Sequence, residues 1–425
     1  MGDATSIQQR LAAAAVAALC ALAGAACQGS AQADSQASDP PSSTSTVPQP
    51  QFTITPSDGS RRVRPDARIR VHVANATLTD ISIRGGGASL TDLPAATGTA
   101  WRTRQTLHTG TRYIIHATAL DQSGNTVTAT TSFRTLVPKR TVRMTIFEGY
   151  NETYGVGMPV MLNFSQPVTR KAAVERALQL RSSKPVVGAW HWDDDSNLEF
   201  RPRNYWPAHT RVHFTGNLNG VETAPGVWGT HTLRQQFTIG RSLIAVASTS
   251  SHHVRIYLER KLFGDWPISS GKPGDDTPNG TYLSINKHNP ERMVGPGYDL
   301  EVPFSVRFTW SGDYLHDAFW SVNEQGFTNV SHGCINLSPA NAETYYNMSV
   351  PGDPVTVTDS PRGGVLGNGW TAWFLSWKDW WHGSALHRAV RVGPNGSTLV
   401  KPSKLHHHGK PSPLGAPAEG NSDPA

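Results

Sequence analysis

Apolar and polar side chains alternate at a period of two through most of this chain, a pattern that predicts strands with one buried face. Ile69, Val71 and Val73 alternate with Arg68, Arg70 and His72. Segments 52–55, 113–120 and 126–133 repeat the theme, with turns at Asp58-Gly59 and Ser123-Gly124-Asn125. Residues 51–137 are therefore expected to form a small β-sandwich of immunoglobulin type. Val142, Met144 and Ile146 open a second series, continued by segments 159–164, 198–200, 211–215 and 235–239. A second sandwich is expected over residues 138–240.

A third block spans residues 241–361. Segments 243–247, 253–258, 282–285 and 354–358 read as strands. Phe304, Val306, Phe308 and Trp310 alternate with Ser305, Arg307 and Thr309, predicting one strand over 304–310 that leads toward His316. Residues 275–281 frame a loop without large apolar side chains. Ser338 suits a helix N-cap and Pro339 the first helical position, with 340–348 as the body. Residues 362–395 carry Trp370, Trp373, Phe374, Trp377, Trp380 and Trp381, whose spacings of three and four place them on one helical face. That face is expected to pack on the third domain, the sharper alternative being a lipid- or glycan-binding surface. The fold class is mainly β.

The ends of the chain read differently. Arg10 precedes the apolar run 11–26, so residues 1–33 are expected to be an export signal. Two endings are open: cleavage after Ala31-Gln32-Ala33, or a lipoprotein signal whose Cys27 takes a lipid and tethers the chain to the membrane. An uncleaved anchor helix is a third. Each places the remainder outside the cytoplasm, in the periplasm or cell envelope. Residues 34–50 read as a flexible linker and 396–425 as a disordered tail.

Composition sharpens this picture in three ways. Charged residues are 16%, against 39 Gly and 30 Pro, which favours turns and short strands over long helices. A net charge of +6 suits an anionic surface such as a cell envelope, though so modest a basic balance is more often just a soluble surface, and nothing resembles a nucleic-acid module. His191 with Asp193–Asp195, and the run His406–His408, are weak metal candidates. The first reads better as a solvated acidic turn, and no metal or other cofactor is expected.

Cys334 is the one cysteine beyond the leader, which holds Cys20 and Cys27. An exported domain with one thiol cannot close an internal disulfide, so the thiol is a buried residue, an intermolecular link or a nucleophile. Its surroundings, Ser331-His332-Gly333-Cys334-Ile335-Asn336, favour the nucleophile. A free thiol has a pKa of about 8.5, which a neighbouring histidine or helix N-terminus lowers. His316, His332 and the helix start near Ser338 are candidates for that role.

Ser311-Gly312-Asp313-Tyr314-Leu315-His316-Asp317 followed by Ser331-His332-Gly333-Cys334 resembles the YkuD-type L,D-transpeptidases of bacterial cell-wall synthesis. The tandem sandwiches and the Trp-rich segment resemble the mycobacterial and actinobacterial branch. The resemblance implies Cys334 as nucleophile and His316 as general base, its ring oriented by an adjacent backbone carbonyl. It implies an oxyanion site from N–H groups around Gly333 and Cys334. His332 is expected to tie the loop, with direct proton transfer as the alternative. Tyr298, Ser311, Gly312, Ser331, Asp317 and Asn336 are expected at the substrate. Asp317 stands where relatives usually carry Ser or Gly, and its carboxylate could instead turn toward His316 and raise its pKa. Asn336 stands where many relatives carry Arg.

The implied partners are peptidoglycan stem peptides, as donor and acceptor, and carbapenems as covalent inhibitors. The implied reaction is a 3→3 crosslink made through a cysteine thioester. An L,D-carboxypeptidase, a transferase joining a protein to the wall, and an inactive wall-binding protein are the alternatives.

Overall fold

The computed structural model describes residues 48–86, 88–89, 95–295 and 298–400. The export signal, Cys20, Cys27 and most of the linker lie outside the described residues, as do the tail beyond Val400 and His406–His408. Among the described residues no helix is long and apolar enough to cross a membrane.

The predicted alternation becomes alternate burial. Strand Arg70–Ala74 and strand Arg112–Asp121 point every second side chain inward. The first sandwich packs a three-stranded sheet (Gln51–Thr55, Arg70–Ala74, Ala100–Arg102) against a four-stranded one built on Ala76–Gly85, Arg112–Asp121 and Thr126–Arg134. Ile69, Val71, Val73, Ile83, Ile115 and Phe133 fill the space between. Sequence reading misses Ala76–Gly85 because a bulge between Leu78 and Asp80 breaks the alternation.

The second sandwich pairs a four-stranded sheet (Thr153–Tyr154, Thr232–Ile239, Thr210–Asn217, Leu178–Ser182) with a six-stranded one. Two strands of that larger sheet, Ala389–Gly393 and Gly396–Val400, come from the far end of the chain and extend it beyond Val186–Trp192. Residues 396–400 are thus strand, where the sequence predicts tail.

The aromatic segment departs further from expectation. It forms a short 3-10 turn, Ala372–Phe374, and one helix, Trp377–His382, not a continuous face. Most of it packs on the second sandwich. Trp380 is 1% exposed and donates to the Ala189 carbonyl, Trp373 donates to Gly157, and the Arg201 guanidinium lies 4.5 Å and 4.6 Å from the Trp373 and Trp380 rings. Toward the third domain, Phe374 meets Tyr282 edge-on and Trp370 meets Trp310. A ring so placed is committed to packing, not to a lipid or glycan. His191 stacks on Trp380 and its Nδ1 pairs with the Trp380 carbonyl, while Asp194 caps the turn at Ser196 and Asn197.

The third domain carries the five-stranded sheet Lys261–Pro267, His253–Leu258, Leu243–Ser248, Pro354–Thr358, Gly280–Leu283. Facing it is the sheet Asn286–His288, Ser305–Arg307, Tyr314–Asp317, Ile335–Leu337. Ala245, Ile256, Leu315, Ile335 and helix residue Tyr345 share one core. The strand expected over 304–310 shrinks to Ser305–Arg307, because Phe304 takes a positive φ and residues 309–313 turn back into Tyr314–Asp317. A buried ion pair, Arg241 to Asp353 at 2.9 Å, sits where this domain joins the second sandwich, and Gly155 donates to Pro351 beside it.

Candidate active site

Strands Tyr314–Asp317 and Ile335–Leu337 run parallel, with His316 opposite Asn336 and Leu315 opposite Ile335. Cys334 stands at the threshold of the second strand. Cys334 thus precedes by two residues the position that faces His316 across the neighbouring strand. The register brings the two separated motif elements together.

His316 is 3% exposed and its Nδ1 lies 2.7 Å from the Asp317 carbonyl. That bond fixes the proton on Nδ1 and leaves Nε2 as the acceptor. The ring stacks on Trp320, centroids 5.9 Å apart. Burial lowers its pKa to about 4. Cys334 is partly buried, and its thiol points at the Gly312 carbonyl, 3.7 Å away. Burial first, and the Asp313 carboxylate second, push that thiol up to about 12.

The expected lowering of the thiol's pKa is therefore reversed. The helix does begin at Pro339 behind Ser338, but strand Ile335–Leu337 intervenes. At ~3.3 Å per strand residue its N-terminus is carried more than 10 Å along the chain from Cys334. Both catalytic candidates rest neutral.

The loop before Cys334 is held from within. Ser331 Oγ donates to the Cys334 carbonyl at 2.6 Å and accepts from the Gly333 amide at 3.1 Å. Ser331 is thus turned into its own loop, and the Gly333 amide is already engaged. Gly333 has φ +127°, and a Cβ there would collide with Asp313 Oδ1. His332 is exposed. Its Nε2 accepts from Lys272 Nζ at 2.9 Å and its ring lies 5.3 Å from Tyr298. Among the described residues no hydrogen bond joins His332 to the Cys334 sulfur.

Asp317 does not turn toward His316. Its carboxyl is buried, Oδ1 has no hydrogen-bond partner, and burial raises its pKa. Asn336 is 3% exposed and donates to Ser321 Oγ, so it braces the segment after His316. Tyr298 belongs to the hairpin Glu291–Gly295 and Tyr298–Val302, and its hydroxyl is near enough to Cys334 for the two charges to oppose each other. Gly312 touches the sulfur directly, while Ser311 stays exposed with its amide on Asn368 Oδ1.

Three side chains at this site carry no assignment from the sequence. Asp313 lies inside the motif. Its carboxyl accepts from Thr309 at 2.6 Å and Ser311 at 3.1 Å, and it is raised by burial. Its proximity to Gly333 crosses two elements. Lys272 is an isolated basic residue in a loop, without a local signal. Trp320 lies in a short 3-10 turn, Phe319–Ser321, beyond the strand that carries His316, where strand periodicity gives no signal. No group of three or more metal-ligating side chains occurs among the described residues.

Family models match residues 60–222 as a bacterial Ig domain, running across both sandwiches, and residues 242–357 as an L,D-transpeptidase catalytic domain. L,D-transpeptidase 2 of Mycobacterium tuberculosis is 30% identical over 348 residues, covering 79% of this chain and 85% of that protein. L,D-transpeptidase 5 of the same species is 32% identical over 352 residues, covering 80% and 78%. The solved structure of the LD transpeptidase LdtMt1 in complex with imipenem shares 35% identity over 52% of this chain and 100% of that one, with a TM-score of 0.44.

Proposed function

The chain belongs to the L,D-transpeptidases, which act on peptidoglycan, and from that premise we propose that it forms 3→3 crosslinks with Cys334 as nucleophile and His316 as general base. The observation that supports this reading is the parallel register, which puts the two motif elements on neighbouring strands, with the His316 Nδ1–H held by the Asp317 carbonyl and Nε2 left as the acceptor.

Because both groups rest neutral, proton transfer accompanies attack and does not precede it. The sulfur bonds to the carbonyl carbon between the third stem residue and the terminal D-alanine, and its proton passes to His316 Nε2. The carbon–nitrogen bond breaks and the imidazolium returns that proton to the departing amine. A thioester remains. The side-chain amine of a second stem attacks it, His316 takes the amine proton, and the thiolate is reprotonated as the new amide forms. With Gly333 N–H occupied by Ser331, the oxyanion draws on the Cys334 amide. Tyr298 and Gly312 border the acyl group; Ser331, Asn336 and His332 hold the walls. An exported protein suits this substrate. Carbapenems, which present a strained acyl carbonyl, fit the same thiol.

Intact mass measured after incubation with a carbapenem tests the assignment. The wild type gains the mass of one adduct and Cys334→Ala gains none. An adduct on Cys334→Ala sinks the nucleophile. Product analysis with muropeptides then ranks crosslinking against release of D-alanine to water.

A further inference from the structure

Between the two sandwiches lies a cleft of about 1640 Å³ that takes no residue from the catalytic domain. The sandwiches are fixed to each other beside it: Arg64 pairs with Glu222 at 2.7 Å, Thr109 donates to Asn219, and Gly220 packs against the Leu107 carbonyl. One wall comes from Arg68 and Arg104 of the first sandwich. The other is the outer face of the four-stranded sheet, where period two puts charge on every second position. Arg181 lies directly across from His213, Thr215 from Arg234, and Arg211 sits two residues before His213. Arg181, Arg211, His213 and Arg234 are all exposed.

The two carboxylates on the cleft, Asp66 and Glu222, are already held by Arg64 and Arg170. Among the described residues no carboxylate lies within ion-pair distance of Arg104, Arg181, Arg211 or Arg234. The lining holds no lysine. Arginine's planar fork matches phosphate oxygens two at a time. The volume exceeds the roughly 300–1,000 Å³ of ordinary small-molecule sites, so it suits an extended polymer.

We propose that this cleft binds a uniformly anionic, phosphodiester-linked polymer strand of the cell envelope, independently of the crosslinking chemistry at Cys334. A peptidoglycan stem fits less well. It carries ammonium groups beside its carboxylates, and the cleft has no free carboxylate to receive them.

Fluorescence anisotropy with a labelled poly(glycerol phosphate) chain, on the full chain carrying Cys334→Ala, tests the proposal. Binding is expected to weaken steeply as salt rises toward about 0.15 M. The triple variant Arg181→Ala, Arg211→Ala, Arg234→Ala is expected to bind about tenfold or more weakly. A control triple of exposed basic residues elsewhere, Arg112→Ala, Arg134→Ala, Lys261→Ala, is expected to stay within about twofold. Arg181→Glu alone carries the same test if the triple variant does not fold. Equal loss in both triples, unchanged binding in the cleft variants, or displacement of the polymer by uncrosslinked peptidoglycan strands at comparable concentration overturns the assignment.

Discussion

A methyl group placed on Gly333 probes how the loop before the nucleophile is built. Gly333 sits at φ +127°, a conformation open essentially to glycine alone. Forcing alanine there costs about 1–3 kcal/mol. The new Cβ also meets Asp313 Oδ1, whose carboxyl is held by Thr309 and Ser311. Displacing that carboxyl weakens two hydrogen bonds, at about 1 kcal/mol each. Together these come to about 3–5 kcal/mol, or about 10²-fold at the least in the population of the competent loop. Single-turnover acylation by a carbapenem, followed by loss of β-lactam absorbance, reads that population. Gly333→Ala is expected to acylate about 10²-fold more slowly, with thermal unfolding checked in parallel. In an Asp313→Ala background the collision disappears and only the backbone cost remains, so the same substitution slows acylation about tenfold. Gly333→Ala acylating within about threefold of wild type refutes the backbone argument. An identical penalty with and without the Asp313 carboxyl refutes the steric one.

Two further outcomes follow from buried ionisable groups. With His316 lowered to about 4 and Cys334 raised to about 12, the acylation rate constant is expected to stay flat across roughly pH 5.5–9 and to fall only as the imidazole protonates in acid; a limb rising through about pH 8.5 shows an ordinary thiol and contradicts the burial of this site. Arg241→Ala leaves Asp353, fully buried and already raised to about 6, without its partner and is expected to cost about 3–5 kcal/mol in denaturant unfolding. The folded protein holds the Asp353 proton more tightly than the unfolded chain, so that defect grows as pH rises through about 6 and shrinks in acid. A loss below about 1 kcal/mol, or one independent of pH, counts against a buried ion pair at this junction.

Much of the fold was legible because alternate burial follows from local geometry. Where one sheet face meets a core and the other meets water, as in Arg70–Ala74 and Arg112–Asp121, the chain shows it directly. Val186–Trp192 was not legible. It lies beneath Trp380 and is flanked in its sheet by a strand some two hundred residues away, so its pattern loses the polar half. The aromatic segment failed similarly: helical spacing gave the period but not the partner, and Arg201 supplied the partner.

At the site, the sequence by itself determined the two candidates for the reacting groups, the one thiol beyond the leader and the motif histidine. Tertiary structure decided their protonation, because the electrostatic cost of a charge depends on how far water has been excluded, and no spacing along a chain encodes that. It also set the hydrogen-bond partners of Ser331 and Asn336 within the protein, since the direction of a side chain is set by the strand register and by whichever polar group the fold leaves within reach.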